Sequence, residues 1–202
     1  FVVLGILGHV YVTLRRENMR VLRYAVLYTA LAFGAIPAFA DMSDIEALRE
    51  GDMKKLVFHS EAKPLSEEAF TDEDGNKFTF ADYQGKVLLV NFWATWCAPC
   101  RHEMPSLDQL QAELGGDTFE VVPIATGRNP QPALKKFFAE AEIKHLPILL
   151  DPKQTLARDM AVLGLPITLI VDTEGREIAR LRGDAEWNSE SAIAILKALC
   201  EE

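Results

Sequence analysis

Val87-Leu88-Leu89-Val90-Asn91-Phe92-Trp93-Ala94-Thr95-Trp96-Cys97-Ala98-Pro99-Cys100 is an apolar run that ends in two cysteines with two residues between them. Val87–Phe92 is continuously apolar except at Asn91, the pattern of a strand covered on both faces. Beyond Cys97, the residues Met104, Leu107, Leu110 and Leu114 recur on one helical face, and Gly115-Gly116 stops the helix. Pro105 lies inside that helix and is expected to kink it. The cysteines therefore stand where a buried strand runs into a helix N-terminus. Two thiols at this spacing close a disulfide across the first helical turn, so the motif points to thiol–disulfide exchange.

Working downstream, Phe119–Ala125 reads as a second strand. Pro132 opens a helix with Leu134, Phe137, Phe138 and Ala141 on one face. Ile148–Leu150 is a short strand and Leu156–Met160 a short helix. Ile167–Val171 and Glu177–Leu181 flank the turn Asp172-Thr173-Glu174-Gly175 and predict an antiparallel hairpin. Ala192–Cys200 is the last helix, capped by Asn188 or Ser189. The order β-α-β-α-β-α-β-β-α predicts an α/β domain with a mixed central sheet and helices on both faces. Upstream, Ile45, Leu48, Met53 and Leu56 predict a helix over Ile45–Val57, residues 58–70 read as an irregular connector, and Asp72–Asn76 turns a short hairpin between Phe70 and Phe78.

Met19 opens a segment built like a secretion signal. Arg20 and Arg23 form its basic end, Tyr24–Ile36 its apolar core and Ala38-Phe39-Ala40 a cleavage site. We expect Met19 to be the start, with residues 1–18 an upstream extension and cleavage after Ala40. The alternative is an uncleaved inner-membrane anchor, although the apolar core is short for a span. The expected division is 1–40 extension and signal or anchor, 41–70 N-terminal helix and connector, and 71–202 main domain. The 202 residues carry a net charge of −9. Such an acidic chain is a poor nucleic-acid binder, and its charge suits a soluble monomer. The cysteines Cys97, Cys100 and Cys200 are too few for a disulfide-stapled fold, and His9, His59, His102 and His145 have no zinc-ligand spacing. No metal and no cofactor is expected.

A helix N-terminus favours thiolate over thiol. Cys97, which precedes the helix proper, is the expected exposed attacker, and Cys100, one turn in, the shielded resolving thiol. Trp93 and Trp96 suit an apolar collar around Cys97, although core packing explains Trp93 equally well. Arg101 and His102 read as surface residues. Cys200 shares the apolar face of Ile193, Leu196 and Leu199 and reads as a core cysteine.

The stretch Val90–Pro105, together with Gly164-Leu165-Pro166-Ile167-Thr168, Val171–Gly175 and Gly183-Asp184-Ala185-Glu186-Trp187, resembles the TlpA-like thioredoxin-fold family over residues 64–200. It is closer to the TlpA branch than to the cytochrome-c-maturation branch. The resemblance implies a thioredoxin fold with an inserted αβ unit and an N-terminal extension. It implies a periplasmic protein-disulfide reductase. Pro166 would be a cis-proline facing the disulfide, with Trp96 and the backbone of Leu165 holding an extended partner segment. It also implies that Glu103, three residues past Cys100, lies near the thiols. If buried, Glu103 would exchange a proton with Cys100; otherwise it is a solvated helix residue. Asn91 departs from thioredoxin itself, which has a buried aspartate there, so proton transfer falls to Glu103. The partners implied are proteins with a reducible disulfide (a copper chaperone, an oxidase subunit or apocytochrome c) and a membrane electron donor. A Cu(I) carrier using both thiolates, or a disulfide oxidase, are the alternatives.

Overall fold

A computed structural model describes residues 42–201, so the signal-like segment and the residues before it lie outside the described part. Eight strands among the described residues form one sheet: β1 (Val57–Pro64), β2 (Phe70–Asp72), β3 (Lys77–Phe78), β4 (Val87–Trp93), β5 (Phe119–Thr126), β6 (Leu149–Asp151), β7 (Ile167–Val171) and β8 (Arg176–Arg182). Their order across the sheet is β1-β8-β7-β4-β5-β6-β2-β3. The centre is β4, parallel to β5 and antiparallel to β7, and every residue of β4 is buried. Among the described residues the α-helices are α1 (Met42–Ala47), α2 (Ala98–Leu114), α3 (Gln131–Glu140), α4 (Thr155–Asp159) and α5 (Glu190–Cys200).

Side-chain alternation along β4 feeds two cores. Val87, Leu89 and Trp93 point to one face and pack with Met104, Leu107 and Leu110 of α2, Leu134 and Phe138 of α3, and Ile195 and Leu199 of α5. Leu88, Val90 and Phe92 point to the other and pack with Leu156 and Ala157 of α4, together with Phe70 and Phe80. Asn91 has the parity of the first face. Its amide therefore points toward α2.

The expected order from β4 onward holds, with α3 and β6 as the inserted αβ unit. Two upstream expectations do not. The helix expected over Ile45–Val57 divides: α1 ends at Ala47, Gly51 takes a left-handed φ of +51°, a 3₁₀ turn covers Gly51–Lys55, and Val57 opens β1. Glycine takes that φ without the cost a side chain brings, which suits the break between α1 and the 3₁₀ turn. The first part of the expected connector 58–70 is strand. β1 pairs antiparallel with β8, and its register shifts between Phe58 and Lys63. Being at the sheet edge it leaves most of its side chains exposed, so no apolar run marks it. α2 continues through Pro105 to Leu114.

Candidate active site

β4 delivers the chain to the site, and the sheet register decides what meets it there. Four residues past Trp93, Cys97 is the N-cap of α2, in extended backbone conformation, with Pro99 in the first turn. Its Sγ is bonded to that of Cys100 and accepts from the Cys100 N–H at 3.3 Å. That donor is one of the N–H groups a helix start leaves unpaired, so the same contact is available to a Cys97 thiolate. Cys100 is fully buried, whereas Cys97 is 6% exposed. Cys97 is thus the more accessible cysteine but not the open residue expected: it packs into the core around α2. Trp96, next to it, is 66% exposed.

Ile167 of β7 pairs with Phe92 of β4. The register brings the loop before β7 to the end of the sheet where β4 runs into the cysteines. The Leu165–Pro166 bond in that loop is cis. The carbonyl of Pro166 accepts from the Gly183 N–H at 3.0 Å, while the N–H and C=O of Leu165 have no hydrogen-bond partner among the described residues.

Glu103 is 1% exposed, so the solvated alternative is excluded. Three donors converge on its carboxylate. The Asn91 side-chain N–H₂ reaches Oε1 at 2.8 Å, and Oε2 accepts from the Ala185 N–H at 3.2 Å and the Trp187 indole N–H at 3.1 Å. Burial pushes the carboxyl up to about 7, and these three hydrogen bonds oppose the shift without cancelling it. Cys100 and Glu103 are three apart on one helix and therefore neighbours on its surface. Asn91 also donates to Thr168 Oγ1 at 2.9 Å, linking β4 to β7 under the site.

Several residues of the site carry no signal in the sequence. Asn129, in the loop after β5, accepts from the Thr95 N–H at 2.8 Å and its hydroxyl at 3.0 Å, and donates to the Thr126 carbonyl at 2.9 Å. It pins the turn before the cysteines to the end of β5. Trp187 and Ala185 belong to a motif whose role sequence alone leaves open. Trp93 is core: it is 1% exposed and packs on Phe137 and Phe138 at ring distances of 5.5 and 6.0 Å, so the collar reduces to Trp96. His102 is a surface residue within 3.4 Å of Asp184. Cys200 is half-buried at the end of α5, where burial pushes its thiol up. Among the described residues no cluster of side chains could hold a metal, and no helix is long and apolar enough to cross a membrane.

Known proteins resemble this chain in sequence and fold. Thioredoxin-like protein YneN of Bacillus subtilis is 34% identical over 122 residues, 60% of this chain and 71% of that protein. Thiol-disulfide oxidoreductase ResA of Bacillus thuringiensis subsp. konkukian is 29% identical over 114 residues, 56% of this chain and 65% of its own length. The match thus spans just under two thirds of ResA. Among solved structures, a DsbF homologue from Corynebacterium diphtheriae superposes with a TM-score of 0.59 at 26% identity, covering 76% of this chain and 97% of the other. The architecture is the thioredoxin fold. Residues 60–178, from β1 to β8 and including both cysteines, Glu103 and Pro166, match the AhpC/TSA family, to which the chain belongs.

Proposed function

We propose that the chain is a periplasmic thiol–disulfide oxidoreductase that reduces disulfides in partner proteins. The observation that carries this reading is the Cys97–Cys100 disulfide at the N-terminus of α2, with Cys97 the less buried sulfur and an N–H donor aimed at it. In the reduced protein the Cys97 thiolate attacks one sulfur of the partner's disulfide. A mixed disulfide forms, and the partner's other sulfur leaves as a thiolate. Cys100 then gives up its proton, attacks Cys97 Sγ and releases the partner's second thiolate. Two electrons pass to the partner, and Cys97–Cys100 is left oxidised.

Glu103 is the acceptor for the Cys100 proton. A carboxyl near pH 7 is ionised often enough to take it and protonated often enough to return it. Trp96 and the unpaired backbone of Leu165 hold the partner as an added extended segment beside Pro166. The signal-like segment supports a periplasmic site of action, with cleavage after Ala40 or retention as an anchor. The expected division at residues 40 and 70 stands as part of the same reading. A protein in that compartment needs a membrane electron donor for re-reduction. The partners we favour are those of copper-centre assembly in cytochrome oxidase or of cytochrome c maturation, met by a monomer.

Equilibration with glutathione or dithiothreitol buffers tests the direction. A potential near roughly −270 mV supports the reductase, and one near roughly −120 mV overturns it in favour of an oxidase. Cys100→Ser is expected to accumulate the mixed disulfide on Cys97, and Cys97→Ser to form none.

A further inference from the structure

A groove of about 510 Å³ runs beside the proposed docking loop. One wall is β1 with its preceding 3₁₀ turn, another is β8, and the third is the segment 159–163 after α4. Its mouth adjoins the site: Arg182 pairs with Ile167, next to Pro166, and Leu163 lies two residues before Leu165. From Arg182 back to Glu177 the groove follows β8 for about 17 Å, the length of roughly five extended residues.

The floor is fixed and charge-matched. Glu177 is 1% exposed; its Oε1 lies 2.7 Å from His59 Nε2 and 2.8 Å from Arg180 Nε, and its Oε2 lies 2.8 Å from Arg180 Nη2. Arg180 is held further by the Met160 carbonyl at 2.9 Å. The rim is different. Lys63 and Arg182 are exposed and have no ion-pair or hydrogen-bond partner among the described side chains. Lys55 is shared with Asp52 at 2.9 Å, and Asp159 is the rim carboxylate. Between the cations stand Val57 and Leu163, 59% and 93% exposed. This cationic and apolar groove belongs to a chain whose net charge is −9.

We propose that the groove binds an acidic segment of the partner protein, extended and with apolar residues interspersed, adjacent in sequence to the cysteine that Cys97 attacks. The proposal rests on the thiol-exchange reading for its occupant. Charge complementarity gives the segment its sign, Val57 and Leu163 its apolar positions, and the position of Arg182 beside the Pro166 loop its nearness to the reacting sulfur. In an otherwise acidic chain, these rim cations speed encounter with an acidic partner that the net charge alone would repel.

The test compares two disulfide peptides that differ only beside the cysteine, Glu-Leu-Asp-Glu in one and Gln-Leu-Asn-Gln in the other. Reduction by the reduced full chain is followed at low and high salt. Binding of the cysteine-to-serine versions to the oxidised chain is followed by fluorescence anisotropy. The acidic peptide is expected to react and bind roughly tenfold better at low salt, with the advantage shrinking toward parity at high salt. Lys63→Glu combined with Arg182→Glu is expected to reverse the preference, while Lys136→Glu, on the exposed face of α3, keeps it. Equal rates for both peptides, or a preference indifferent to salt, overturn the groove and leave the reductase reading standing. An acidic preference in binding without exchange overturns the reductase reading and keeps the preference of the groove. The salt series needs no variant.

Discussion

Glu103 ties the acid–base behaviour of the site to the stability of the fold. Its folded carboxyl is raised to about 7 by burial, against 4.5 for an ordinary glutamate. Between those values the native state holds a proton that the unfolded chain has lost, so stability falls as pH rises through this window. The loss is complete above about pH 7 and amounts to about 3 kcal/mol. Glu103→Gln keeps the shape without the charge and is expected to abolish this decline. Urea unfolding at pH 5 and pH 8 measures it, and equal declines in the two proteins would refute the assignment. The position of Glu103 is legible in the sequence, one helical turn beyond Cys100. Its environment is not, because Ala185 and Trp187 lie 82 and 84 residues away and meet it only when the chain after β8 packs over α2.

At the scale of elements, the start of α2 depends on a neighbour it does not touch in sequence. Asn129 holds Thr95 with two hydrogen bonds and the end of β5 with a third, so the turn carrying Trp96 and Cys97 is anchored from both sides. Asn129→Ala is expected to cost about 1–3 kcal/mol and to leave the Thr95 N–H unpaired. Faster amide exchange at Thr95 and Trp96, with α5 unchanged, is the signature to look for. Protection equal to that of the native chain would show the anchor to be redundant. A lone asparagine in a loop has no pattern that marks such a role. The buried strands do have one: apart from Asn91 and Thr168, β4 and β7 are apolar along their length because both faces are buried. β1 escapes notice for the opposite reason. It is held by β8 on one side only, and its exposed residues read as loop.

For the whole molecule, the state of the Cys97–Cys100 pair and the fold are nearly independent. The Cys97–Cys100 link closes a loop with a sequence separation of 3, the kind that constrains an unfolded chain least. Its contribution is about 2 kcal/mol, within the stability that two packed cores and an eight-stranded sheet supply. Dithiothreitol is therefore expected to lower the melting temperature by no more than roughly 8 °C. Loss of the cooperative transition on reduction would contradict this. The sheet ends at β3, only two residues long, and at β1, which shifts register between Phe58 and Lys63 and closes on Pro64. A strand whose register shifts and that ends in a residue without an N–H makes a poor template for a further strand. Pro64→Val is expected to weaken that guard and give concentration-dependent chain association, visible by sedimentation; a single sedimenting species at all concentrations would show that the guard lies elsewhere. The register shift in β1 and its closing proline thus let a protein proposed to receive extended segments beside Pro166 avoid growing into a fibre of its own copies.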